Sequence, residues 1–83
     1  LEAVVRAVER VTGGRVSREK RGGVERDLAL KAGRDGGWTL RELGEQLGGL
    51  DYVTVHMAIK RLEQKMARDE RLRRQFAAIK TIC

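Results

Sequence analysis

Residues 52–65 carry the side chains of this chain best placed to do chemistry. Tyr52, Val53, Thr54, His56, Met57, Lys60, Arg61, Gln64 and Lys65 fall on one side of a helical repeat, and Val55, Ala58, Ile59, Leu62 and Met66 fall on the other. The outward set begins with apolar and hydrogen-bonding groups and ends in cations. Groups of the first kind, in the opening turns of a helix, suit base edges. Cations further along suit phosphate. An ordinary solvated helix face has the same pattern, so patterning alone leaves both readings open.

Bond-making chemistry has little to work with. His56 is the only histidine, Cys83 the only cysteine and Ser17 the only serine. A nucleophile and base would have to be drawn from these three. A His/Cys metal site needs several ligands, and His56 and Cys83 stand far apart in the chain. The run GGRVSREKRGG lacks the residue order of a phosphate-binding loop. The carboxylates are spaced to pair with cations along helices, as in Glu63 with Lys60 and Asp69 with Arg73. The expectation is a protein that is not an enzyme and has no metal or cofactor.

Two helices must position the outward set. Thr39 and Glu42 have the spacing of a capping box, and Trp38 and Leu43 that of a hydrophobic staple. Leu40, Leu43 and Leu47 make one apolar face. Gly48 and Gly49 stop that helix, Leu50 plugs the turn and Asp51 caps the next helix. The second helix runs from Tyr52 to about Ala67 and is about 24 Å long. Two helices across a tight glycine turn, the second with an unpartnered polar face, are how a helix-turn-helix reader of the DNA major groove is written.

The remaining chain is also helical in pattern. Leu1, Val4, Val5, Val8 and Val11 share a face over residues 1–12, and Gly13 and Gly14 end that helix. Residues 15–23 are a basic connection in which Ser17, Glu19 and Lys20 could start one short turn. Over 24–34, Val24, Leu28 and Ala32 form a stripe with Leu30 beside it. Asp69 caps a last helix over 69–82, where Leu72, Phe76, Ile79 and Cys83 repeat at helical spacing. No strand alternation or internal repeat is present. The fold class expected is all-α, with five to six short helices in a single domain over 1–83.

The net charge is +6, which favours an anionic partner. Residues 15–21 hold four cations against Glu19, and residues 60–74 hold seven against Glu63, Asp69 and Glu70. The capped helix at 39–47 has Arg41 against Glu42 and Glu45. The flanks of the presumed reader are therefore basic and its supporting helix is slightly acidic. Trp38, Tyr52 and Phe76 are the only aromatics, too few for a platform of stacked bases, which weakens an RNA reading. No apolar run is long enough to span a membrane, and no signal peptide is visible. A lone cysteine cannot form a disulfide within the chain, so the reducing cytoplasm, at the nucleoid, is the expected location. The chain opens on Leu1 rather than Met, which predicts a piece of a longer protein whose other domains are further partners.

The stretch LGGLDYVTVHMAIKRL resembles the signature of the C-terminal DNA-binding domain of the bacterial replication initiator DnaA. That signature runs Gly-Gly-Arg-Asp-His-Thr-Thr-Val, two variable residues and Ala. It is matched by Gly48, Gly49, Asp51, Thr54, Val55 and Ala58. TLRELGEQLGG resembles the preceding helix of that family, and RVSREKRGGVERDLAL its basic loop and following helix. The likeness covers about residues 15–67, and more loosely the whole chain. Leu50, Tyr52 and Val53 stand where the family has Arg, His and Thr, residues it uses against its DNA box. The order Asp-Tyr-x-Thr-Val is closer to the DnaA-like C-terminal domain of some repeat-associated transposases with a Tyr nucleophile. A shorter stretch resembles the Trp repressor, of the same helix-turn-helix superfamily. The resemblance implies that Asp51 and Thr54 lie at the start of the reader, that Lys60 and Arg61 follow along it, and that Lys20, Arg21 and Arg26 flank the groove.

The function expected is binding of double-stranded DNA with some sequence preference. Asp51, Tyr52, Val53, Thr54, His56 and Met57 would meet the groove. The cations of residues 15–21 and 60–74, Lys20, Arg21, Lys60 and Arg61 among them, would meet the backbone, and the resemblance adds Arg26. The rivals are a basic helical module that docks an acidic protein and a Trp repressor-like transcriptional regulator.

Overall fold

Side chains set where three of the helices start. In the computed structural model, which describes residues 1–17 and 23–82, five helices form: α1 (Glu2–Thr12), α2 (Val24–Asp35), α3 (Leu40–Gln46), α4 (Tyr52–Met66) and α5 (Glu70–Ile82). Thr39 Oγ1 accepts the Glu42 N–H at 3.1 Å, and Glu42 Oε1 accepts the Thr39 N–H at 3.0 Å, so the capping box of α3 is complete. Asp51 Oδ1 caps α4 by accepting the Thr54 N–H at 2.7 Å. Asp69 Oδ1 caps α5 by accepting the Leu72 N–H at 3.1 Å. No strand is present among the described residues, and the fold is all-α.

The turn between α3 and α4 leaves no slack. Gly48 at φ 119° and Gly49 at φ 66° take backbone conformations that side chains disfavour. The Leu50 N–H then returns to the Gly44 carbonyl at 2.9 Å. A methyl group at Gly44 would overlap the Leu50 carbonyl oxygen, so glycine is required there by close backbone approach. Leu50 is partly buried against the core, as a plug for the turn should be.

The core is shared by all five helices. α1 gives Val5, Ala7 and Val8, and α5 gives Leu72, Phe76 and Ile79. Leu43 of α3 and Leu47 meet Val55, Ala58, Ile59 and Leu62 of α4. α2 lies at the centre and packs against each of the other four helices. It therefore buries more than the one stripe its pattern suggests: Leu28, Ala29 and Leu30 are all fully buried. Val24, expected on that stripe, is instead 36% exposed at the helix start.

Charged side chains tie α2, α4 and α5 together on one side. Lys31 Nζ lies 3.0 Å from Glu63 and 4.0 Å from Asp35, and Lys80 Nζ lies 3.3 Å from Asp35. Both ammonium groups stand over the Phe76 ring, at 5.2 and 5.7 Å from its centroid. Glu63 thus pairs across helices with Lys31 rather than along α4 with Lys60. Asp69 serves as a cap, and Arg73, its expected partner, donates to the Met66 carbonyl. The short turn expected after Ser17 runs outside the described residues, as does Cys83.

Leu62→Ala is expected to lower the unfolding free energy by ~2–5 kcal/mol, because the site is closed on every side. Gly44→Ala should also destabilise the fold, by forcing the turn away from α3. Urea unfolding of each variant measures both. A Leu62→Ala cost below ~1 kcal/mol would show that this core repacks freely.

Candidate functional site

α4 is locked on one face and open on the other. Inward, Val55, Ala58, Ile59 and Leu62 are buried among the packed helices. Outward, Tyr52 is 63% exposed, Val53 51% and Met57 52%. Thr54, His56, Lys60, Arg61, Gln64 and Lys65 are exposed around them. Three large apolar side chains within about 8 Å of helix axis are left in water, beside hydrogen-bonding groups.

Asp51 stands at the head of this surface with its carboxylate engaged as the cap of α4. Hydrogen bonds from Thr54, from its side chain first and its backbone N–H second, hold the Asp51 carboxyl below its ordinary 3.8. The backbone N–H and then the side chain of Thr39 do the same for Glu42, below 4.5.

Cations sort themselves by partner. Lys31, Arg41, Arg74 and Lys80 sit in salt bridges, and Arg34 and Arg73 donate to the Trp38 and Met66 carbonyls. Lys60, Arg61, Lys65, Arg68 and Arg71 form no salt bridge among the described residues. Asp27, half-buried on α2, lies in the field of Arg61 and Lys65. Burial pushes its carboxyl up, and Arg61, Arg26 and Lys65 only partly offset that. The uncommitted cations continue the outward face of α4 past its end, around an open groove of ≈ 600 Å³ lined by Arg61, Gln64, Lys65, Ala67 and Arg68.

Of the residues singled out from sequence, Asp51, Tyr52, Val53, Thr54, His56, Met57, Lys60 and Arg61 are brought together on α4 and at its cap. Lys20 and Arg21 lie outside the described residues. Arg26 is a correction: it is only 7% exposed, because α2 is enclosed by its neighbours, so its guanidinium is not offered to a groove. Lys65, Arg68 and Arg71, members of the basic run read over residues 60–74, continue the same surface. The signal for them was the recurrence of cations from Arg61 onward at steps of four and three. Among the described residues no group of His, Cys, Asp or Glu is placed to hold a metal ion, and no helix is long and apolar enough to cross a membrane. No protein family, curated protein or solved structure matches the chain.

The caps give a signed pH dependence. A carboxyl depressed by folding stabilises above its unfolded value, and that stability is lost as pH falls through the folded value. For Asp51 the loss therefore begins near 3.8 and continues below it. Asn caps a helix about as well as Asp and carries no proton to gain. Asp51→Asn should match the parent at neutral pH and show a smaller loss of melting temperature on acidification. An unchanged acid limb would mean that the carboxylate charge contributes nothing to the cap.

Proposed function

We propose that this domain binds double-stranded DNA. In this reading α3, the glycine turn and α4 act as a helix-turn-helix, α4 enters the major groove, and the uncommitted cations rest on phosphates beside it. One observation carries the reading: the exposed side chains Tyr52, Val53, Thr54, His56 and Met57 lead along α4 to five exposed cations that form no salt bridge among the described residues. Val53 and Met57 are suited to thymine methyls, and Thr54 and His56 to hydrogen bonds with base edges. A helix of 10–12 Å diameter fits a major groove ~12 Å wide. The resemblance to the DnaA C-terminal domain, through Gly48, Gly49, Asp51, Thr54, Val55 and Ala58, points the same way. It suggests a replication-initiator-like or transposase-associated parent chain, working at the nucleoid.

A second reading has one observation in its favour. The exposed apolar side chains Tyr52, Val53 and Met57 would also suit an acidic protein partner with an apolar centre. Selection from a pool of random duplexes separates the two, because a DNA reader returns a motif.

With about five phosphate contacts, log affinity for duplex should fall against log salt with a slope of about −4 to −5. On the selected site, Thr54→Ala or His56→Ala should cost ~1–3 kcal/mol of discrimination against a scrambled duplex. Lys60→Ala should weaken both duplexes equally. Anisotropy titrations of each variant on both duplexes measure this. A slope near zero would remove the phosphate contacts and favour the protein partner. Parallel losses for Thr54→Ala and His56→Ala would mean that α4 grips DNA without reading it.

A further inference from the structure

The uncommitted cations do not stop where α4 stops. α4 ends at Met66 with Ala67 as its cap, and the turn to α5 is pinned: the Arg68 N–H reaches the Lys65 carbonyl at 3.0 Å and the Arg73 guanidinium donates to the Met66 carbonyl. This fixes the corner at which α5 leaves. Around it a second groove, of ≈ 440 Å³, is lined by Lys65, Arg68, Arg71 and Gln75, with Val24 and Leu72 beneath. It shares Lys65 and Arg68 with the groove along α4, so the two form one trough. Asp69 is the carboxylate in its wall, and one of its oxygens is spent on the cap of α5. Within the same stretch Arg74 is bound to Glu70 at 2.8 Å. The seven cations of residues 60–74 thus divide into five without a salt bridge among the described residues and two engaged by groups of the chain itself.

We propose that the α4–α5 corner is a second phosphate-binding site, in which Lys65, Arg68 and Arg71 grip the DNA backbone beside the groove that α4 reads. The inference rests on the proposal that the first turns of α4 enter the major groove. Helix length then dictates the rest. α4 has 15 residues and is about 22 Å long, and a straight helix of that length cannot follow a groove that curves around the duplex. With Tyr52 and Val53 at the bases, Arg68 lies beyond the groove edge, where only sugar and phosphate remain. Cations with flexible stems and no carboxylate partner suit that position. Because backbone contacts carry no base identity, the corner adds affinity and fixes orientation without adding sequence preference.

The test compares Arg68→Gln/Arg71→Gln with the parent chain and with Arg74→Gln. Anisotropy is measured on a selected duplex, a scrambled duplex and a single-stranded RNA of equal length, over a salt series from about 50 to 200 mM. Circular dichroism checks that each variant is folded, and Lys65→Gln/Arg68→Gln replaces the first pair if Arg71→Gln unfolds. The slope of the double variant should shrink by about 1.8, with an affinity loss on the order of 60-fold near 0.1 M salt. Both duplexes should lose equally, and Arg74→Gln should keep the parent slope. If the parent binds duplex but the double variant keeps its slope and affinity, the corner does not touch DNA and the role of α4 stands. Failure of the parent to bind any duplex would sink both. Stronger binding of RNA than of duplex by the parent, lost in the double variant, would overturn the DNA assignment of the corner.

Discussion

The inner face of α4 governs everything else about this molecule. Val55, Ala58, Ile59 and Leu62 repeat at three and four residues and leave the helix only one way to lie in the packed interior. Once they are buried, the rotation of α4 about its axis is set. Tyr52, Val53 and Met57 must then face water, although each would prefer burial. The turn completes the constraint, because the contact of Gly44 with Leu50 fixes where α4 begins relative to α3. A displayed apolar surface in an 83-residue chain is thus held by a core that has no room to reclaim it.

Charge is arranged around that display rather than spread evenly. Lys31, Asp35, Glu63 and Lys80 close on one another around Phe76, so the side where α2, α4 and α5 meet is nearly neutral. Exposed ion pairs of this kind add little stability, typically under ~1 kcal/mol each. Their larger effect is distributive. They absorb cations on one side and leave the excess along α4 and at its corner with α5. Asp27 is a half-buried carboxyl in the field of Arg61 and Lys65, and its own burial opposes its ionisation.

What could be read from sequence was local. Thr39 with Glu42, Asp51 and Asp69 announce helix starts within a few residues, and all three caps form as their spacing requires. Gly48 and Gly49 announce a stop for the same reason. The outward face of α4 was legible because a period of 3.6 separates it cleanly from the buried one. The misses depend on which helix lies beside which. Arg26 is buried and Val24 exposed because α2 is the central helix, and a single apolar stripe does not say that four neighbours will close around it. Glu63 chose Lys31 over Lys60 for the same reason.

Because a helix puts its buried and exposed positions on different residues, the core side of α4 and its displayed side have almost no members in common. Changing Val53, Thr54, His56 or Met57 alters what the domain presents and leaves the packing of Val55, Ala58, Ile59 and Leu62 untouched; surface changes of this kind usually stay within about 0.5 kcal/mol. The two properties can therefore drift independently over evolutionary time. A lineage carrying this scaffold could exchange its partner by replacing a handful of side chains, without passing through an unfolded ancestor.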